Sequence, residues 1–251
     1  MVKNSRAELK VTVLGCAGSS YDEELRQPCS SYLAETSDTA ILLDCGFGSF
    51  ESYLNHASDV QIDAIFVSHA HGDHVADLEA FMNSAKVWRD QPRLLASSET
   101  MSYIAPNPDS FPEGSLFFVS EGSRLKLPTF EAEFSRTTHQ MPTHATCISI
   151  GGRRVVYCAD TGPTWVVPPQ FAGADLAIVE CTLEIRNGSS SLFHLDAQEA
   201  GALARELSAD QTLITHIPIR ETGEARLAIA QGMAPKNEFM LATLGLQLVV
   251  E

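Results

Sequence analysis

The sequence lacks any apolar run approaching membrane-spanning length, which argues against a transmembrane role. Cations are scarce. Lys and Arg number 17 against 32 Asp and Glu, a net charge of −15. Such a surface repels long polyanions, so broad contact with nucleic acid is disfavoured. A small anionic substrate remains open, because bound divalent cations reverse the sign locally. No CxxC pair occurs among the six cysteines, Cys16, Cys29, Cys45, Cys147, Cys158 and Cys181. Scattered in this way they read as reduced core residues. Cys158 lies near Asp160, and a strand would turn both to one face. The start, Met1-Val2-Lys3-Asn4-Ser5-Arg6, carries no apolar signal region, so a cytoplasmic protein is expected. Solenoid-length repeats, low-complexity tracts and a flexible interdomain linker are also missing. The small-residue stretch Gly15-Cys16-Ala17-Gly18-Ser19-Ser20 lacks the Lys-Ser/Thr of a phosphate-binding loop and the full dinucleotide fingerprint. It reads as a tight turn near an active-site rim.

What the chain does have is concentrated in Ser68-His69-Ala70-His71-Gly72-Asp73-His74. Three imidazoles and a carboxylate follow the apolar run Ala64-Ile65-Phe66-Val67, which reads as a buried strand. Val75 to Val87 reads as a helix, so the cluster occupies a strand-to-helix loop. Divalent metals such as Zn²⁺ choose His nitrogen and carboxylate oxygen. In extended backbone His69 and His71 point the same way and can grip one ion. Gly72 permits a turn, after which Asp73 and His74 face a second position.

The rest alternates strands with helices. Leu9 to Leu14 reads as a strand, and Tyr21 to Gln27 as a polar surface loop. Ser30 to Glu35 and Thr39 to Cys45 pair around Thr36-Ser37-Asp38. A helix from Ser49 to Asn55 ends at His56, a surface histidine. Short strands follow at Arg93 to Ala96, Leu116 to Val119 and Arg124 to Leu127, with a helix from Ser97 or Ser98 to Ile104. Thr129 to Arg136 leads to His139. Cys147 to Ile150 and Arg153 to Ala159 form a hairpin around Gly151-Gly152, ending at Asp160. Thr164 to Phe171 reads as a short helix broken by Pro168-Pro169. Asp175 to Val179 ends at Glu180, and Asn187 to Ser191 is a flexible loop before His194. Asp196-Ala197-Gln198-Glu199 is a capping box for a helix to Leu207. Gln211 to Thr215 ends at His216. A last helix spans Glu221 to Gly232, and strands at Phe239 to Leu241 and Leu246 to Val250 close the chain. This order predicts an α/β (α+β) fold, a four-layer αββα sandwich. One domain, residues 1–251, would be built of two β-rich halves meeting near residue 120.

Metal-type residues thus fall at four strand ends: His69, His71, Asp73 and His74, then His139, Asp160 and His216. Seven donors suffice for two metals with one shared carboxylate and open positions for water. The chain resembles the ribonuclease Z/phosphodiesterase branch of the metallo-β-lactamase superfamily. The matching pieces are Val13-Leu14-Gly15-Cys16-Ala17-Gly18, Leu43-Asp44-Cys45-Gly46 and Val67 to His74. They continue in Tyr157-Cys158-Ala159-Asp160-Thr161-Gly162, His194-Leu195-Asp196-Ala197-Gln198-Glu199-Ala200 and Leu213-Ile214-Thr215-His216-Ile217-Pro218. Within that branch it is most similar to small, actinobacterial-type cyclic-nucleotide phosphodiesterases.

The resemblance implies a dinuclear metal-dependent hydrolase. It places His69, His71 and His139 on one metal and Asp73, His74 and His216 on the other, with Asp160 bridging. Zn²⁺ is the first choice and Mn²⁺ the second. It implies that His194 donates a proton, that Glu180 orients His194, and that Asp73 helps orient water. A metal-bridging hydroxide would attack a phosphodiester, 3′,5′-cyclic AMP being the best single guess. His144 has no assigned role and is placed at the surface. Relatives are commonly homodimers. Three alternatives stay open: tRNA 3′-end processing, hydrolysis of a thioester, a lactam or another ester as some other metallo-hydrolase, and metal binding or interaction without catalysis. The stretch between His139 and Asp160 holds only the hairpin, too little for a tRNA-binding arm. Too little chain follows His216 for an appended helical thioesterase domain.

Overall fold

A computed structural model describes residues 8–18, 27–186, 192–218 and 220–250. The expected loops at 21–26 and 187–191, the leading residues 1–6, and Ser19 and Ser20 lie outside the described residues.

In chain order, β1 (Leu9–Gly15), β2 (Ala17–Gly18), β3 (Ser31–Glu35) and β4 (Ala40–Leu43) precede α1 (Ser49–His56). Then come β5 (Ala64–Phe66), α2 (Gly72–Val75), α3 (Leu78–Asn83), β6 (Leu94–Ser97), α4 (Ser98–Ile104) and β7 (Leu116–Val119). The chain continues through β8 (Arg124–Lys126), β9 (Phe130–Arg136), β10 (His144–Ile150), β11 (Arg153–Tyr157) and β12 (Leu176–Glu180). It finishes with α5 (Ala197–Leu207), β13 (Gln211–Thr215), β14 (Ile217–Pro218), α6 (Glu224–Met233), β15 (Glu238–Leu241) and β16 (Gln247–Val250).

Two seven-stranded sheets result, ordered β16-β1-β3-β4-β5-β6-β7 and β15-β13-β12-β11-β10-β9-β8. Strands such as Ala40–Leu43 and Leu176–Glu180 are buried along their whole length. That is the signature of strands covered on both faces. Alternation then sorts the side chains. Ile41, Leu43 and Phe66 meet Phe134, Ile148 and Ile178 between the sheets. Leu42, Ile65 and Val67 face Tyr53, Phe81 and Trp88 outside the first sheet. Val156, Val179 and Ile214 face Ala200, Ala204 and Ala230 outside the second. The layers are therefore αββα, as expected from the sequence. β16 lies beside β1 in the first sheet, so the sheets do not follow the two halves of the chain strand for strand.

Several elements differ from expectation. The helix read over Val75 to Val87 is two short helices, α2 and α3, and α2 starts earlier, at Gly72. This draws Asp73 and His74 into the first turn. Gly72 is not in the left-handed region, and a Cβ there would meet nothing within 4 Å, so its freedom is not what makes the turn. Thr164 to Phe171 holds only a single 3₁₀ turn, Pro169–Phe171. β10 begins at His144, three residues earlier than read, and His144 is buried rather than on the surface. Gly15 ends β1 and Ala17–Gly18 is strand rather than turn, with Cys16 between them: β2 pairs in parallel with β14. Asp196 and Glu199 form the expected capping box at α5, with both reciprocal bonds present. Such a cap contributes about 1 kcal/mol.

Candidate metal centre

Strand direction explains why the site residues meet. β11, β12, β13 and β15 run parallel, so their C-terminal ends share one edge of the second sheet. Asp160, Glu180 and His216 come from the ends of the first three. β4 and β5 are parallel in the first sheet, and their C-terminal ends deliver Asp44 and the loop carrying His69 and His71. Backbone geometry sharpens the convergence. Asp44, Ala159 and His216 adopt left-handed φ of 59°, 52° and 60°. Each non-glycine residue so placed costs of order 1–3 kcal/mol, and such strain collects at functional sites. The turn at Ala159 also separates its neighbours. Cys158 packs in the outer core of the second sheet while Asp160 enters the site, against the shared face expected from strand alternation. Burial raises the Cys158 thiol far above its ordinary range. The other cysteines are buried and free as well.

All seven expected donors lie together. His69, His71, His139 and Asp160 form one group, Asp73, His74 and His216 a second, and Asp160 and His216 also gather with His194. His69 Nε2 is 3.0 Å from His71 Nδ1, and His139 Nε2 is 3.2 Å from the same atom. His74 Nε2 is 3.3 Å from His216 Nε2, which is 3.3 Å from Asp73 Oδ2. Asp160 stands between the groups. Its Oδ2 is 3.7 Å from both His69 and His139, and its Oδ1 is 3.3 Å from His74 and 3.2 Å from His216. Two nitrogens bound at about 2.1 Å to one tetrahedral zinc lie roughly 3.4 Å apart, so the spacing suits such an ion.

The outer nitrogens show the same arrangement. Ser68 Oγ donates to Asp44 Oδ2 and so accepts from His69 Nδ1, at 3.0 Å. His74 Nδ1 donates to Asp44 Oδ2 at 2.7 Å. His139 Nδ1 donates to the Phe193 carbonyl at 3.0 Å. Thr182 Oγ1 donates to Glu180 Oε2 and accepts from His216 Nδ1 at 2.9 Å. Each of these four rings therefore carries its proton on Nδ1, as the network assigns it, and turns the Nε2 lone pair inward. Asp160 Oδ1 is buried with no hydrogen-bond donor. Converging lone pairs beside an orphaned buried carboxylate oxygen fit divalent cations and little else.

Without a cation, the carboxylates favour a proton on two of these rings: burial lowers His74 and His216, but Asp160, with Asp44 and Asp73, raises His74 well above its usual range, and Asp160 and Asp73 raise His216. The negative potential that draws a proton to these nitrogens draws a divalent cation in its place. Burial lowers the His69 imidazole well below its usual range, and the His74 charge adds to this. Burial also disfavours charge on Asp160, but His216 and His74 outweigh it and hold the carboxyl well below the usual carboxylate range. Asp73 behaves likewise: burial opposes ionisation, and His74 and His216 overcome it.

His194 sits beside the cluster. Its ring stacks on His216, with centroids 5.6 Å apart and planes 19° from parallel. Its Nδ1 lies 3.0 Å from Glu180 Oε1 and 3.2 Å from Thr182 Oγ1. Burial lowers its basicity, but the hydrogen bond and charge of Glu180, with help from Asp160, raise it to about 9. Glu180 is itself fixed by the Thr161 N–H at 3.0 Å and the Thr182 N–H at 3.1 Å.

Residues 39–217 match the family model described as the beta-lactamase superfamily domain. The chain belongs to the metallo-β-lactamase superfamily. The probable metallo-hydrolase YhfI of Bacillus subtilis (strain 168) is 28% identical over 228 residues, 84% of this chain and 87% of that protein. The crystal structure of YhfI, a metallo-β-lactamase fold protein, superposes with a TM-score of 0.81 at 25% identity, covering 97% of this chain and 99% of that one. The human zinc phosphodiesterase ELAC protein 2 is 24% identical over 249 residues, 81% of this chain but 29% of that protein. The short form of human tRNase Z shares the fold, with a TM-score of 0.72 at 20% identity over 96% of this chain and 99% of that one. Superfamily membership, the donor cluster and these relatives make the chain a metal-dependent hydrolase.

Some contributors were not assigned from the sequence. Asp44 and Tyr157 stood only as family-motif residues, and Ser68 only as the start of the histidine loop. Thr182 had no signal except its spacing two residues beyond Glu180. His144 approaches the site only through its backbone, its N–H donating to the Ser68 carbonyl at 3.1 Å. Glycines around the site are required by contact, two of them beside the histidines His216 and His194. A Cβ on Gly18 would lie 2.7 Å from His216 Nδ1, and one on Gly162 would lie 1.7 Å from the Leu192 carbonyl oxygen. The latter would push the segment bearing Phe193 and His194. Gly162→Ala is expected to cut turnover about 10²-fold, the scale of an ångström's misplacement, with a circular dichroism spectrum like the wild type's. Unchanged turnover would show that the segment accommodates the methyl group.

Proposed function

We propose that this hydrolase is a dinuclear phosphodiesterase acting on a small diester, with 3′,5′-cyclic AMP as the first substrate to test. The observation that carries the proposal is the set of four Nδ1-anchored histidines turning Nε2 onto the two sides of Asp160. His69, His71 and His139 would hold one cation. Asp73, His74 and His216 would hold the other, and Asp160 would serve both. Zn²⁺ suits these donors best, and Mn²⁺ suits them too. Such a pair supplies Lewis acidity and acidifies water at neutral pH.

The chain's own residues do the rest. Burial lowers the basicity of His194, but the hydrogen bond and charge of Glu180 raise it and favour the protonated ring. Glu180 and Thr182 occupy its Nδ1, so Nε2 is the nitrogen that presents a proton to the departing ribose oxygen. Glu180 orients the ring and stabilises its charge. Asp73, fully ionised, helps orient the attacking water.

A relative named zinc phosphodiesterase supports the phosphorus ester. The net charge of −15 favours a small diester over tRNA. The test combines metal analysis with parallel assays on cyclic AMP, a precursor tRNA and a thioester. About two cations per chain and preferential hydrolysis of cyclic AMP are expected. Preferential cleavage of tRNA or thioester would replace the substrate reading, and a chain binding fewer than two ions would end the dinuclear one.

A further inference from the structure

Beneath the metal centre, two buried tyrosine hydroxyls cross between the sheets. Tyr157, at the end of β11, donates to Asp44 Oδ2 at 2.5 Å, spanning from the second sheet to the first. Tyr32, on β3, bonds Thr215 Oγ1 at 2.6 Å in the opposite direction. The two rings pack against each other with centroids 5.4 Å apart, and both are buried. The bonds look alike but end on different groups. Thr215 passes its contact to the Cys16 carbonyl, which also accepts the His216 N–H, so this route reaches a donor's backbone and not its imidazole. Asp44 instead holds a site histidine: the oxygen that accepts from Tyr157 also accepts from His74 Nδ1 and Ser68 Oγ.

Asp44, Ser68 and His74 all lie in the first half of the fold. Tyr157 reaches Asp44 from the second sheet, and it lies three residues before Asp160 on the same chain segment. The end of β11 and the turn after it thus grip His74 from both sides. Asp160 Oδ1 faces its Nε2 at 3.3 Å, and Tyr157 reaches its Nδ1 through Asp44. Burial, and then the Asp44 charge, keep the phenol far above its usual range, so it remains a donor.

We infer that Tyr157 is a positioning residue whose hydroxyl registers the two sheets' ligand sets on each other through Asp44 and His74. The inference rests on the two-cation reading above. Groups that orient a metal-binding histidine from behind are worth about 10–100-fold in metal affinity. The effect should fall on the cation position that includes His74 and spare the one formed by His69, His71 and His139.

The experiment titrates the metal-free full-length protein with Co²⁺, following its visible absorption, and with Zn²⁺ by calorimetry. Wild type, Tyr157→Phe and Tyr32→Phe are compared. Each variant keeps its ring and loses one buried cross-sheet hydroxyl, so each should melt somewhat below wild type. Tyr157→Phe should weaken one of two binding steps about tenfold or more and alter the Co²⁺ band of that step. Tyr32→Phe, whose route reaches only the His216 backbone, should disturb both steps much less. Equal titrations for all three proteins, or equal losses in both variants, would overturn the inference. Wild type binding fewer than two ions would overturn the dinuclear reading and this inference with it. Two ions in wild type with no selective effect of Tyr157→Phe would overturn this inference alone.

Discussion

Asp160→Ala is expected to be the most damaging single substitution in the chain. It removes the carboxylate that faces both donor groups, 3.7 Å from His69 and His139 on one oxygen and 3.2–3.3 Å from His216 and His74 on the other. Losing a donor common to two positions lowers occupancy at both. It also removes the anion that offsets the neighbouring histidines, leaving His74 and His216 facing each other at 3.3 Å. Lewis-acid stabilisation of a phosphoryl transition state is worth several kcal/mol, so turnover should fall by at least about 10³-fold. Atomic absorption should show well under two ions per chain after dialysis. A variant that retained two ions and near-normal turnover would show that Asp160 is not shared between them.

His194→Ala should behave differently, because its expected role is proton delivery rather than ligation. Its Nδ1 is 3.9 Å from Asp160 Oδ2 but 3.0 Å from Glu180 Oε1, so it belongs first to Glu180. Metal content should stay at the wild-type value. With a cyclic nucleotide, whose alkoxide leaves poorly, the loss should be about 10²–10⁴-fold. With bis(p-nitrophenyl) phosphate, whose phenolate leaves without a proton, the loss should be much smaller. Equal losses on both substrates would argue against a general acid. Loss of metal would move His194 into the ligand set.

The parts of this site legible in sequence are those fixed by short-range spacing. His69, His71, Asp73 and His74 lie within six residues, and alternation along an extended segment is enough to aim the first two. The outlying donors were legible because each follows a stretch that reads as a strand, as with His216 after Gln211–Thr215, and because together they fall in the order of the family's motifs. Less visible was everything that depends on three left-handed residues at strand ends. Alternation carried past β11 places Asp160 on the face of Cys158, and the φ of 52° at Ala159 undoes this. The support behind the ligands was hidden for another reason. Thr182, Tyr157 and Ser68 act through contacts between segments that only the folded sheets bring together. The helix after His74 was misjudged because apolar residues from Val75 to Val87 fit a helical pattern, while the chain breaks after Val75 to return carbonyls and amides to Cys45. The Cys45 N–H donates to the His74 carbonyl, and Asp77 N–H donates to the Cys45 carbonyl.

The antiparallel partnership of β1 with β16 has a consequence for biosynthesis. The ribosome delivers residues 9–12 early, yet their partners, 247–250, emerge only after every ligand has been made. The first sheet therefore keeps an open flank throughout translation, and the chain that carries His216 is threaded out before that flank is sealed. A nascent chain stalled before β16 would leave the hydrogen-bonding groups of β1 exposed to whatever strand comes near.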